Sequence, residues 1–241
     1  MATTPNATER EPRVIVALDY DNAGDALAFA DAVHPSDCRL KVGLELFTLA
    51  GPSLVEKLTS RGFDIFLDLK FHDIPNTVAG AVRSACRLGV DMLTVHASGG
   101  AAMLKAASEE ALSSASPPLV LAVTALTSLS EEDMRRYGVH RSMEEWVERL
   151  ARTACEAGIR GLVASAGELP MLRSKMDPDL QLVIPGIRPA GSAAQDQSRT
   201  ATPGEAIKAG ASYLVIGRPI MQAPDPAKAA DAVIEDIAHA L

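Results

Sequence analysis

The chain has 241 residues, 47% of them hydrophobic, a size and composition at which one α/β barrel makes a complete domain with a large core. Its formal charge of -8 argues against a nucleic-acid partner, because phosphate-backbone binding needs clustered cations, although local cations can still draw in a small anionic ligand. The longest apolar runs, such as Leu119 to Val123 and Tyr213 to Ile216, fall far short of the roughly 20 residues of a membrane span, so no membrane partner is expected.

Residues 1–12 are polar, with no apolar stretch behind a basic start. They read as a disordered N-terminal arm and not as a secretory signal, with the cytoplasm as the default address. Short β-rich segments then alternate with amphipathic ones eight times, at a spacing of roughly thirty residues. Strands are predicted at 14–19, 40–44, 65–70, 92–96, 120–125, 161–165, 182–186 and 213–217, mostly runs of Val, Ile and Leu, as burial on both faces requires. Helices are predicted at 23–33, 78–88, 143–157 and 227–241, where apolar residues recur at three and four. The pattern predicts a single-domain (β/α)8 TIM barrel over residues 13–241. Two connections, 128–142 and 187–202, are longer than closure of a barrel needs and read as lids or ligand loops. Cys38, Cys86 and Cys155 lack metal-ligand or redox spacing and read as small buried hydrophobes; Trp146 reads as core.

In such a barrel the active site lies at the C-terminal ends of the strands. The polar residues there are Asp19, Lys41, Asp68, Lys70, Asp73, His96, Thr124, Thr127, Arg188, Gln197 and Arg218. On the third strand, a period of two puts Asp68 and Lys70 on one face, with Leu67 and Leu69 facing the helices. Asp73 lies in the turn before a helix that Pro75 opens. An alternative makes Asp73 or Asn76 a helix cap and Asp68 with Lys70 a satisfied buried pair, but it leaves the other charged strand ends without a purpose. Flanking carboxylates raise a lysine pKa, so Lys70 between Asp68 and Asp73 is expected to stay protonated, which suits a proton donor beside a developing carbanion better than a Schiff base. One charge pair at 4 Å contributes on the order of 4 kcal/mol at an effective dielectric of 20, against barrier reductions of roughly 20 kcal/mol in highly proficient enzymes. Binding energy from a remote part of the substrate must therefore contribute. Gly217 and Arg218 after the eighth strand, with Arg188 and Gln197 after the seventh, form the expected oxyanion cradle; the alternative is a solvated arginine and a barrel-closing glycine. Asp19 and Lys41 could bind sugar hydroxyls. His96 is either a packing and supporting residue or a catalytic one, and His34, His72, His140 and His239 carry no pattern.

The segment Phe66-Leu67-Asp68-Leu69-Lys70-Phe71-His72-Asp73-Ile74-Pro75-Asn76-Thr77, with Lys41-Val42-Gly43, Val123-Thr124-Ala125-Leu126-Thr127-Ser128 and Pro185 to Pro189 in this order, resembles the orotidine 5'-phosphate decarboxylase family. The resemblance runs from Val14 to about Ile220. It implies conversion of orotidine 5'-phosphate to uridine 5'-phosphate and carbon dioxide in de novo pyrimidine synthesis, with no metal or organic cofactor. It implies that Lys41, Asp68, Lys70 and Asp73 alternate in charge around the substrate's C6, with Lys70 as proton donor and Asp68 crowding the scissile carboxylate. Asp19 and Lys41 would bind the ribose, Thr127 the pyrimidine, and Arg188, Gln197, Gly217 and Arg218 the phosphate. Asp73 and Thr77 would reach into a neighbouring subunit's site, which implies a homodimer. Gln195-Asp196 stands before Gln197 where many relatives have two aspartates. Two other readings remain. A metal-dependent phosphosugar decarboxylase or aldolase shares the D-x-K pattern but typically has an acidic ligand at the end of the second strand, where this chain has Lys41. A noncatalytic phosphate-ligand barrel would gain little from a carboxylate facing an anionic substrate.

Overall fold

The computed structural model describes residues 12–189 and 201–241. Eight parallel strands close into a barrel: β1 (Val14–Ala17), β2 (Arg39–Gly43), β3 (Ile65–Phe71), β4 (Met92–His96), β5 (Leu119–Val123), β6 (Gly161–Val163), β7 (Gln181–Pro185) and β8 (Tyr213–Ile216). Closure is made by β8 returning to β1, with Val14 beside Leu214 and Ile15 beside Val215.

Alternation along each strand builds two cores. Ile15, Ala17, Phe66, Met92, Leu121, Val183 and Val215 fill the lumen, whereas Val14, Val16, Leu40, Val42, Leu67, Leu93 and Val95 pack outward beneath the helices. The residues in phase with the inner set further along these strands are Lys41, Asp68, Thr94 and His96. Burial of each large apolar side chain contributes roughly 1.5–3 kcal/mol, which lets the barrel tolerate charge and strain at its mouth.

The four predicted helices form at Ala23–Ala32, Pro75–Arg87, Met143–Glu156 and Pro226–Ala238. Their starts follow local chemistry. Asn22 accepts the Asp25 N–H, Ser142 and Glu145 cap reciprocally, and prolines occupy the first positions at 75 and 226. The connection 128–142 holds a helix that the sequence reading missed, Glu131–Arg136, opened by a reciprocal Ser130–Asp133 cap and anchored by buried Met134. Six residues with one apolar anchor give almost no periodicity to detect.

Strands β1, β5 and β6 stop at Ala17, Val123 and Val163, each two residues short of the predicted end. Pro12, assigned to the leader, is tied to the barrel by the Arg39 Nε donating to its carbonyl at 3.2 Å. Cys38 is buried, whereas Cys86, Cys155 and Trp146 are only half-buried, being on helices whose outer sides meet water. Residues 1–11, and Gln197 within the second long connection, lie outside the described residues. Among the described residues no helix is long and apolar enough to cross a membrane.

Candidate active site

Strand β3 does not run straight into the site. It pairs with β4 at Phe66–Met92 and Leu67–Leu93, and next at Phe71–Val95, so four steps on β3 match two on β4 and the strand bulges. Within the bulge Lys70 has φ 51, the only positive value outside glycine among the described residues. Such a conformation costs a residue with a Cβ about 1–2 kcal/mol. Simple alternation predicted that Lys70 and Asp68 share a face. They do meet, with Lys70 Nζ 2.8 Å from Asp68 Oδ1, but through a bulge and a left-handed residue and not through a regular pleat.

From this pair a chain of alternating charge crosses the mouth. Lys41 Nζ lies 3.4 Å from Asp68 Oδ2 and 3.6 Å from Asp19 Oδ1, joining the loop after β1 to β2 and β3. The Lys41 and Asp68 side chains are 11% and 13% exposed, so water screens their interaction weakly. Burial by itself would push the Asp68 carboxyl up, but the Lys41 and Lys70 ammonium groups and hydrogen bonds from Lys70 and Thr94 outweigh it and hold the group below the usual carboxylate range. A Cβ on Gly43 would approach Lys41 Nζ to 3.2 Å, so the glycine leaves room for the lysine head.

These groups face a cavity of about 280 Å³, also lined by Thr127, Arg188, Gly217 and Arg218. Thr127 stands on the exposed turn after β5. Gly186, with φ 80, turns the chain out of β7, and the Arg188 N–H donates to the Ala201 carbonyl at 3.0 Å, which holds the two ends of the second long loop together. The Arg188 Nε is buried and has no hydrogen-bond partner among the described residues. Gly217 precedes a short helix that Arg218 opens.

Asp73 and Thr77 do not join this cavity. Residues 72–77 are exposed, and Ile74 in their midst is 66% exposed. The Asp73 carboxylate accepts the Ile74 N–H at 2.6 Å, and among the described residues no ion pair joins it to Lys70. Residue 74 takes the N-cap position of helix 75–87 without any side-chain cap, so neither Asp73 nor Asn76 is there to cap it. Thr124 is buried and donates to the Val163 carbonyl at 3.1 Å, a role in packing.

Sequence reasoning missed two features. Thr94, fully buried, accepts the Lys70 N–H and donates to Asp68. A polar residue inside the apolar run Met92-Leu93-Thr94-Val95, in phase with the lumen, was the signal available. His72 stacks on His96 with ring centres 5.2 Å apart, and Ser98 Oγ lies 3.0 Å from His96 Nδ1. Burial, then His72 and Lys70, lower the His96 pKa.

A model of the orotidine 5'-phosphate decarboxylase / HUMPS family matches residues 12–233, a span that contains all eight strands. The chain belongs to this family. A relative from Vibrio cholerae serotype O1, named orotidine 5'-phosphate decarboxylase, is 52% identical over 233 residues, covering 96% of this chain and 99% of its own. A relative of the same name from Aliivibrio fischeri strain MJ11 is 50% identical, covering 96% of this chain and all of its own. Among solved structures, the orotidine 5'-phosphate decarboxylase from Lactobacillus acidophilus superposes with a TM-score of 0.85 at 39% identity, over 95% of this chain and 99% of that one.

Proposed function

We propose that this protein decarboxylates orotidine 5'-phosphate to uridine 5'-phosphate and carbon dioxide, the step that the family carries out in pyrimidine biosynthesis, and that residues 13–241 act as one catalytic domain. The observation that carries the reading is the unbroken sequence Asp19–Lys41–Asp68–Lys70 across one barrel mouth, in a cavity also lined by an arginine whose buried Nε has no partner among the described residues. The C6–carboxylate bond breaks heterolytically, carbon dioxide leaves, and the electron pair remains on C6. Lys70 then delivers one proton to that carbon and recovers it from solvent. An anionic Asp68 near the substrate carboxylate makes the ground state less favourable, and its repulsion falls as charge moves to C6.

Asp19 and Lys41 bind the ribose hydroxyls, Thr127 the pyrimidine, and Arg188, Gln197, Gly217 and Arg218 the phosphate. The Lys41 ammonium fills the space between the Asp19 and Asp68 carboxylates, where a metal-dependent enzyme would need a divalent cation, and this favours the metal-free reading over the phosphosugar alternative. Asp73 and Thr77, exposed and absent from the lining of their own cavity, serve the site of a second copy in a homodimer.

The deciding measurement is ultraviolet absorbance of orotidine 5'-phosphate in metal-free buffer. Wild type consumes the substrate, and Lys70→Ala is slower by at least about 10²–10⁴, the usual contribution of a general acid. An inert wild type defeats the assignment. The shared site has its own test: mixed Lys70→Ala and Asp73→Asn subunits regain part of the activity by forming hybrid dimers with one intact site. No recovery after demonstrated subunit exchange rejects it.

A further inference from the structure

Thr94 lies near the middle of β4 with no exposed surface, in phase with the lumen. Its single hydroxyl serves two partners. It accepts the backbone N–H of Lys70 at 2.9 Å and donates to Asp68 Oδ1 at 3.0 Å, the same oxygen that receives Lys70 Nζ at 2.8 Å. A closed ring results, running from the Lys70 backbone through the hydroxyl and the carboxylate back to the Lys70 side chain.

The bulge explains why a hydroxyl is needed at this place. With Lys70 in the left-handed region, β3 leaves its regular register on β4, and the Lys70 N–H takes the Thr94 side chain as acceptor. A buried N–H without an acceptor is costly, so an apolar residue at 94 would remove what holds the bulge. The polarity of the bridge is also set. A hydroxyl has one hydrogen, and giving it to Asp68 leaves its lone pairs for the amide.

We infer that Thr94 is a positioning residue for the decarboxylation, locking the strained Lys70 backbone to the Asp68 carboxylate so that the proton donor and the repelling carboxylate are held as one unit. The inference rests on the function proposed above. It differs from a packing role, because the hydroxyl, and not the volume of the side chain, carries it.

The groups around Asp68 are Lys70 on β3, Lys41 on β2 with Asp19 behind it in the loop after β1, and Thr94 and His96 on β4, with His72 stacked on His96. Thr94→Val, similar in shape, takes away one donor to the ionised carboxylate. In the full-length protein we expect kcat to fall about tenfold to a hundredfold, the range for losing a hydrogen bond to a charged group. KM should change by less than about threefold, since the residues assigned to the phosphate are untouched. The acid limb of kcat/KM should move up by about one pH unit, the equivalent of a tenfold weaker preference for the ionised form. Thr94→Ser restores all three. Wild-type kcat and acid limb in Thr94→Val, or equal impairment of Thr94→Ser, overturns the inference.

Should Thr94→Val fail to fold, Thr94→Cys, with its weak donor, takes its place in the same comparison. Titration of the Asp68 carboxyl by ¹³C NMR reads the bridge without substrate. An upward shift in the hydroxyl-free variant, reversed by serine, supports the inference; one curve for all variants rejects it. A wild type that leaves orotidine 5'-phosphate unchanged while the titrations differ rejects the functional reading and leaves the bridge standing.

Discussion

The two ends of the barrel use buried and half-buried cations in opposite ways. At the N-terminal end, Arg173 donates to the carbonyls of Gly210, Leu180 and Pro178 and to Ser212 Oγ, tying the starts of β7 and β8 together. Gly210 makes room for it: its φ is 104, and a Cβ there would approach Arg173 Cγ to 2.8 Å. Arg39 pairs with Asp64 at 3.2 Å and lies over the Tyr213 ring. At the C-terminal mouth, Lys41 and Lys70 pair, among the described residues, with the carboxylates of Asp19 and Asp68, and Arg188 keeps a buried Nε with no partner among the described residues. The larger cavity, about 1140 Å³, lies at the N-terminal end, beside the satisfied Arg173. Unmet hydrogen-bonding capacity and opposed charge therefore mark the site better than cavity size does.

Exchanging the damage between the ends is the strongest way to break this contrast. Arg188→Ala should lower kcat/KM by about a hundredfold, as expected for a charged group bonding a phosphate, with a stability change below about 0.5 kcal/mol. Arg173→Ala should do the reverse, with a loss of about 3 kcal/mol in urea unfolding and an unchanged kcat/KM at temperatures where the variant stays folded. A stability loss for Arg188→Ala as large as that for Arg173→Ala would erase the distinction.

A smaller effect separates two aspartates by sign. Asp68 at the mouth has its pKa lowered, so its contribution to stability is complete above the unfolded carboxylate value, near 4, and is lost as pH falls through the folded one. Asp91 at the base, which accepts the Ile65 N–H at 2.8 Å, has its pKa raised, chiefly by burial. Its contribution is complete below the unfolded value and is lost as pH rises through the folded one. Between about pH 5.5 and 2.5, Asp68→Asn should therefore make the acid loss of stability shallower than in wild type, below about pH 4, and Asp91→Asn should make it steeper, above about pH 4. Urea midpoints measured across this range check the two slopes, and slopes altered in the same direction would count against the assigned environments.

Much of the site was legible because its logic is local. Lys41 and Asp68 follow from a period of two on strands with an apolar lumen, and Asp19, Thr127, Arg188, Gly217 and Arg218 follow from their places after strand ends; all of these line one cavity. Gln197 falls outside the described residues. Thr94 was overlooked because its value depends on which residue of β3 it faces. The His72–His96 stack was overlooked because it joins a loop to a neighbouring strand.

The sequence by itself determined the eightfold alternation, the closed barrel, the order of charges along the strands and the turn that Pro75 begins. Only the tertiary structure decided that Lys70 reaches Asp68 through a left-handed residue, that Thr94 closes the ring between them, and that Asp73 and Thr77 stay out of their own cavity. The physical reason is register: periodicity specifies which face of a strand a residue takes, but a two-residue offset between β3 and β4 decides which backbone groups lose their ladder partners and must take a side chain in their place.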